Sequence, residues 1–172
     1  SRKTDHGDLV ETKTGSWLER DQVVIARPRH ELPEGIDEQT NWADVDLGAR
    51  TVVAYRGSTA VSASPLLGAP LESAKRGVTR VRAKHVTTWT TPTQTPEGGL
   101  TETDPAWVIE LESGLVIRAA LSTHPIGTGL PGEIVELAPG DARRLFSWLS
   151  PELPANWHAV LANAQGSPVL VR

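Results

Sequence analysis

The chain of 172 residues contains neither cysteine nor methionine. Without cysteine there is no disulfide, no thiolate metal site, no iron–sulfur cluster and no cysteine nucleophile. No apolar run approaches the roughly 18 residues that a membrane-spanning helix needs. A basic excess is also missing, because 17 Lys and Arg stand against 21 Asp and Glu. The composition therefore gives no general electrostatic reason to bind nucleic acid or an anionic membrane surface.

The length suits one globular domain with a small extra module. Short β-rich runs separated by Pro, Gly, Asp and Asn dominate the first two thirds, which is typical of an antiparallel sheet protein. Hairpin turns are predicted at residues 56–58 and 112–114, and loops at 90–104 and 122–131. The predicted strands are residues 9–12, 16–19, 22–26, 42–46, 51–56, 58–64, 78–83, 85–89, 106–112, 115–121 and 168–171.

Residues 138–149 predict one helix, because apolar residues recur there at helical spacing. This stripe consists of Ala142, Leu145, Phe146 and Leu149. Pro139 fits the first turn, Pro151 follows the end, and Arg143 and Arg144 are expected to face solvent. The prediction is a mostly β (α+β) fold with one main helix packed on a mixed sheet.

A linker is predicted at residues 27–35, where prolines and charges alternate. It divides the chain into a small N-terminal β module with its linker, residues 1–35, and a main domain over residues 41–172. The first seven residues contain no apolar stretch of the kind that a signal peptide has. The absence of cysteine fits an exported protein and a cytoplasmic one equally.

The main domain resembles the catalytic domain of the L,D-transpeptidases, which cross-link the stem peptides of bacterial peptidoglycan or attach proteins to them. The helix and its flanks are the most specific part of this resemblance. The matching segments are Trp42-Ala-Asp-Val-Asp-Leu, Thr51-Val-Val-Ala-Tyr-Arg-Gly, Arg80-Val-Arg-Ala-Lys-His, Leu137-Ala-Pro-Gly-Asp-Ala-Arg-Arg-Leu-Phe-Ser-Trp, Trp157-His-Ala-Val and Gly166-Ser-Pro-Val-Leu-Val.

The catalytic residues of that family are replaced in this chain. The family carries a histidine on one strand and a Ser/Thr-His-Gly-Cys-Val-Asn-Leu stretch before the helix, whose thiolate forms an acyl-enzyme. Counting back from Leu137 without gaps gives Pro131 at the Ser/Thr position, Gly132 at the histidine, Glu133 at the glycine, Ile134 at the cysteine and Glu136 at the asparagine. Counting forward from Trp107 gives Arg118 at the strand histidine and Thr123 at a second, loop histidine.

Ile134 has no lone pair and no acidic proton, so it supports neither covalent nor acid–base catalysis. Arg118 is expected to lie close enough to pair with one of the two acidic residues, Glu133 or Glu136. These charges are either surface residues of a loop that has drifted or part of a new ligand pocket. The candidate binding residues are Arg118, Ser122, His124, Glu133 and Glu136.

We therefore expect a catalytically inactive, L,D-transpeptidase-like domain in the periplasm or cell envelope. It would bind peptidoglycan stem peptides, or scaffold or regulate a protein partner, with no cofactor and no nucleic acid. One alternative is an active transferase or hydrolase that uses Ser122 or Thr123 with His124. Another is a purely structural interaction domain with a closed cleft.

Other constellations are weaker. The five histidines are scattered without metal-ligand spacing, so no metal site is predicted. Trp42, Trp107, Trp148 and Trp157 stand at scaffold positions where burial is expected, whereas Trp17 and Trp89 are candidates for contact with a ligand or partner. Arg80, Arg82 and Lys84 alternate along a predicted strand, so they are expected to share one solvated face.

Overall fold

The structure is a computed structural model that describes residues 2–4, 7–12, 14–20, 23–70, 74–88, 93–94, 100–101, 104–121, 128–130 and 132–172. Within these residues there is one α-helix, α1, which spans Pro139–Trp148. The strands, in chain order, are β1 (Arg2–Thr4), β2 (Gly7–Glu11), β3 (Trp17–Glu19), β4 (Asn41–Asp46), β5 (Thr51–Arg56), β6 (Thr59–Pro65), β7 (Gly68–Pro70), β8 (Gly77–Thr87), β9 (Thr93–Gln94), β10 (Leu100–Thr101), β11 (Ala106–Leu111), β12 (Val116–Ala119), β13 (Thr128–Leu130), β14 (Ile134–Leu137), β15 (Ala159–Leu161) and β16 (Pro168–Val171).

Eleven strands form one mixed sheet. Ten of them follow the order β13-β7-β14-β12-β11-β8-β16-β4-β5-β6, and β15 pairs with β8 beside this path. Most neighbours are antiparallel, but β12 and β14, β13 and β7, and β16 and β4 run parallel. The mostly β, mixed-sheet fold class is confirmed.

The helix packs on this sheet through the apolar stripe seen in the sequence. Ala142, Leu145, Phe146 and Leu149 are all buried, and Arg143 and Arg144 are exposed. The same core includes residues of β4, β5, β7, β8, β11, β12, β14 and β16. Because strands so far apart in the sheet order share one core, the sheet curls around the helix.

A second, smaller core lies around Trp42 and Tyr55, whose rings stack with centroids 4.3 Å apart. The segment predicted to be a linker, residues 27–35, packs against it: Leu32 contacts this cluster, and the Arg29 amide donates to the Tyr55 hydroxyl at 2.6 Å. Near the N-terminus, β1, β2 and β3 form a separate three-stranded sheet. The division into a module of residues 1–35 and a domain of residues 41–172 stays a prediction.

Several predicted elements differ from the structure. Residues 23–26 of the predicted strand 22–26 pair with no strand among the described residues. The predicted loop 90–104 contains the short β9–β10 hairpin, and the predicted loop 122–131 contains β13. The two strands predicted at 78–83 and 85–89 are, over the described residues, the single long strand β8.

Candidate functional site

Ile134, which the sequence resemblance aligns with the family's nucleophile, lies on β14, next to β12. In this parallel pair Val116 is opposite Ile134 and Arg118 is opposite Glu136. Side chains alternate between the faces of a strand, so these four residues share one face of the sheet. The residues between them on β14 are buried on the other face, against α1. We call the face that carries Ile134 the outer face.

Arg118 and Glu136 form an ion pair on the outer face. The Arg118 Nη2 and Nε atoms donate to Oε1 of Glu136 at 2.8 and 3.0 Å. The Glu136 side chain is only 3% exposed, and that of Arg118 is 18% exposed. Charge-assisted hydrogen bonds are shorter and stronger than neutral ones, and removal of one partner is costly where the other charge stays buried. The expectation that Arg118 pairs with one of the two acidic residues is confirmed, with Glu136 as the partner.

Glu133 and Gly132 lie at the start of β14 and are exposed. The Glu133 carbonyl accepts a hydrogen bond from the Val116 amide at 2.9 Å, and its carboxylate lies over Gly114, where a Cβ would be 2.7 Å from Oε2. Gly132 has a φ of +68°, a conformation that costs glycine little and other residues more. Gly132 therefore suits a turn into the strand.

The residues Ser122, Thr123 and His124 lie outside the described residues, as does Pro131. A nucleophilic role of Ser122 or Thr123 with His124 stays a prediction.

The outer face carries a second polar cluster that sequence reasoning missed. Glu110 of β11 receives Arg82 Nη2 at 2.6 Å on Oε2, and His85 Nε2 lies 3.3 Å from Oε1. Glu110 is opposite Val116, which is opposite Ile134. Two strand spacings, about 10 Å, therefore separate Glu110 from Ile134.

This cluster depends on a β-bulge. Glu110 pairs with Ala83 and the next residue, Leu111, pairs with Val81, so Arg82 is an extra residue in β8. A bulge reverses which face the following side chains occupy. The expectation that Arg80, Arg82 and Lys84 share one solvated face is wrong for this reason, and no sequence signal marks the bulge.

Lys84 lies on the opposite face, buried under α1. Its side chain is 1% exposed, and Nζ donates to the carbonyl oxygens of Leu149 and Pro151 at 2.7 Å each. Nζ also lies 4.4 Å from the centroid of the Phe146 ring. Burial lowers the pKa of Lys84 from 10.5 to about 8. This lysine holds the chain after the helix against the sheet.

The tryptophans divide differently from the prediction. Trp42 is fully buried and Trp107 and Trp148 pack partly against the main core, as expected. Trp157 was expected to be buried and is 60% exposed, because it lies in the turn before the short strand β15. Trp17 is exposed, and Trp89 lies outside the described residues.

The described residues contain neither a cluster of metal ligands nor a membrane-spanning helix. No three histidine, aspartate or glutamate side chains in that part of the chain lie close enough together to hold a metal ion. The helix found there is too short and too polar to cross a membrane.

Comparison with solved structures shows an L,D-transpeptidase-like fold. The chain is similar to L,D-transpeptidase 1 of Mycobacterium tuberculosis, with 17% identity and a TM-score of 0.51 over 77% of this chain and 61% of that one. It is also similar to an L,D-transpeptidase of Mycobacterium smegmatis, with 16% identity and a TM-score of 0.56 over 77% and 58%. The chain thus spans about three fifths of each mycobacterial protein.

The catalytic domain of the Enterococcus faecium L,D-transpeptidase is covered almost completely. This similarity has 16% identity and a TM-score of 0.54, over 78% of this chain and 98% of that domain. No protein-family model and no curated protein sequence matches the chain. The similarity is therefore one of fold, at a level of identity where residue chemistry has to be argued from the chain itself.

Proposed function

We propose that this chain is a non-catalytic L,D-transpeptidase-like domain of the bacterial cell envelope, which binds peptidoglycan stem peptides without forming an acyl-enzyme. The observation that carries the proposal is Ile134 at the nucleophile position, beside the buried Arg118–Glu136 ion pair. Acyl transfer needs a nucleophile with a lone pair and a base within reach of its proton. Ile134 supplies no lone pair, and an arginine does not give up its proton in proteins.

Two features of the outer face support a binding role. Ile134 and Val116 are only half-buried, so they offer an apolar strip beside the ion pair. Arg118 remains 18% exposed while it pairs with Glu136, and it has spare N–H donors for a peptide carbonyl or carboxylate. The apolar strip and the Arg118 cation together suit an extended peptide. The periplasm or cell envelope is the compartment in which such a ligand occurs.

In a second version of this proposal, the ligand is a protein partner that binds to the same outer face. A partner that docks there would be scaffolded or regulated by the domain, and no stem peptide would be needed. In the closed-cleft version, segments around the ion pair fill the face and neither ligand binds. In the catalytic alternative, Ser122 or Thr123 with His124 replaces the lost cysteine.

A binding experiment separates these versions. Purified protein is incubated with peptidoglycan sacculi and titrated with soluble muropeptides, next to the variants Ile134→Arg and Val61→Arg. Both variants put an arginine in place of a β-branched residue, but Val61 is an exposed residue of the distant edge strand β6. We expect retention of the wild type and of Val61→Arg, and at least tenfold weaker binding of Ile134→Arg. Equal retention of all three, or none above a control protein, would contradict the proposal.

Catalysis is tested in the same samples. Intact mass is measured after incubation with a β-lactam and with a fluorophosphonate, for the wild type and for Ser122→Ala and Thr123→Ala. The proposal predicts an unchanged mass for all three proteins. An adduct on the wild type that either substitution abolishes would establish the hydroxyl nucleophile and overturn the non-catalytic reading.

A further inference from the structure

A cavity of about 520 Å³ opens beside β8, β11 and β15, on the outer face. This volume falls in the range of small-molecule sites in proteins. Its floor is the β8 backbone at Val81 and Ala83, both buried, and its apolar lip is Leu161, which is 66% exposed. The cavity is distinct from the Arg118–Glu136 pair, since neither of those residues lines it.

One wall of the cavity is a tight turn, residues 162–165. Asn163 and Ala164 have φ values of 43° and 69°, and the Gln165 amide donates to the Ala162 carbonyl at 2.8 Å. Two successive positive φ values are the signature of a type I′ turn. Gly166 anchors this turn, because a Cβ at that position would overlap a carbonyl oxygen of β8. The wall is therefore held in place by close backbone packing.

The opposite wall carries charges of both signs. Both carboxylate oxygens of Glu110 already have neighbours, Arg82 on one and His85 on the other. Arg82 is 65% exposed and, among the described residues, makes one ion pair, through Nη2; its other N–H groups can therefore donate to a ligand. Glu112 also lines the cavity and is exposed, and across the described residues its carboxylate meets no cation.

The two residues that carry the available charges lie close together along the sheet. The Glu112 amide donates to the Arg80 carbonyl at 2.9 Å. Glu112 is therefore level with Arg80, which comes two residues before Arg82. Two residues of strand span about 7 Å. A ligand carboxylate alone would add a third anion next to Glu110 and Glu112, and an ammonium alone would face Arg82. A ligand that carries both groups a few ångströms apart satisfies both walls at once.

We propose that this cavity binds the zwitterionic end group of an α-amino acid. Arg82 receives the carboxylate, Glu112 receives the ammonium, and the Asn163 amide on the turn adds a hydrogen bond to either group. The side chain of the ligand points towards the apolar lip at Leu161. This site does not depend on the stem-peptide proposal, because it uses none of the residues around Ile134.

The test is a titration of the ¹⁵N-labelled full chain followed by NMR, with L-alanine and D-alanine as probes. N-acetylalanine lacks the ammonium and alaninamide lacks the carboxylate, so each serves as a matched control ligand. We expect saturable shifts at the amides of Glu112, Asn163 and Ala164 with at least one alanine enantiomer. Both blocked compounds should bind at least tenfold more weakly.

Variants of the charged residues test which side chain binds each charged group of the ligand. Glu112→Gln and Arg82→Gln should each weaken alanine binding at least tenfold, whereas Glu34→Gln and Arg27→Gln, at exposed positions away from the cavity, should leave it unchanged. Arg82→Gln also frees Glu110, so thermal unfolding is recorded alongside, and Glu112→Gln keeps the test decisive if Arg82→Gln fails to fold. No shift up to tens of millimolar alanine, equal binding of a blocked compound, or wild-type affinity of Glu112→Gln would overturn the proposal.

Discussion

Lys84 gives the sharpest quantitative test of the contact between sheet and helix. Its ammonium is buried among the carbonyl oxygens that follow α1, and burial lowers its pKa from 10.5 to about 8. Between these two values the unfolded chain binds a proton that the folded chain does not. Stability should therefore rise with pH across this window, by up to about 1.4 kcal/mol per pH unit.

The magnitude follows from the pKa difference. A fall of about 2.5 units corresponds to about 3 kcal/mol, of which about 2 kcal/mol is recovered between pH 8 and pH 10. The pH range of the test ends at pH 10 because a second group, Tyr55, affects stability above it. Burial raises the pKa of Tyr55 above its ordinary 10.0. Above that pH the unfolded tyrosine ionises first, which lowers stability and opposes the effect of Lys84.

The assay is urea unfolding at pH 8, 9 and 10 for the wild type, Lys84→Met and Lys75→Met. Lys75 is exposed, so its replacement removes a lysine without removing the buried one. Wild type and Lys75→Met should gain about 2 kcal/mol over this range, and Lys84→Met should stay nearly flat. Equal slopes for all three proteins would refute the reasoning. If Lys84→Met does not fold, a ¹³C NMR titration of the Lys84 Cε in the wild type decides, since a midpoint near 10.5 would refute it too.

Further substitutions test the site and its frame. Arg118→Leu removes the guanidinium that pairs with the buried Glu136 carboxylate, and should lower the free energy of unfolding in urea by about 3 kcal/mol. The double variant with Glu136→Leu should recover most of this loss. A loss below 1 kcal/mol for Arg118→Leu would mean that the ion pair is not buried in solution. Gly166→Ala should lower the free energy of unfolding by about 3 kcal/mol, because its Cβ overlaps a carbonyl oxygen of β8. Gly140→Ala, on the helix with open space around it, should leave that free energy unchanged or raise it by up to about 1 kcal/mol. Similar values for the two variants would contradict the close packing at Gly166. Ile134→Cys should restore a thiol without restoring transfer in a muropeptide assay, because Val116 lies opposite that position and Arg118, aligned by the resemblance with the family's strand histidine, has no imidazole.

The parts of the fold that the sequence predicts are those with a local signal. The helix is set by four apolar residues at helical spacing and a proline at its start, and the turn at Gly57, with a φ of 52°, joins β5 and β6 as predicted. These features depend on near neighbours in the chain. Local periodicity is enough to find them.

The parts that the sequence misses depend on distant partners. β14 is a four-residue strand that pairs with β12 in parallel, and nothing within the stretch itself indicates that partner. The bulge at Arg82 places Lys84 under the helix and leaves Arg82 beside Glu110, which reverses a face assignment made from alternation alone. Trp157 is exposed because a turn, and no buried strand, holds it.

The candidate site divides in the same way. The resemblance to the L,D-transpeptidases led to two predictions. The alignment of Ile134 with the nucleophile stays a prediction, whereas the pairing of Arg118 with an acidic neighbour is confirmed. The parallel pairing of β12 and β14 places Arg118 opposite Glu136, and this pairing determines that Glu136 is the partner. The charged cavity beside β8 has no counterpart in any sequence motif, because residues of three strands and a turn combine to form it.

A peptidoglycan stem peptide should bind to this domain without reacting with it. Mass spectrometry of the wild type with a purified peptidoglycan stem peptide, recorded under native and then denaturing conditions, tests both halves in one sample. We expect a complex of protein plus peptide in the native spectrum and the unmodified protein mass after denaturation. A peptide mass that survives denaturation, or the absence of any complex in the native spectrum, would contradict it.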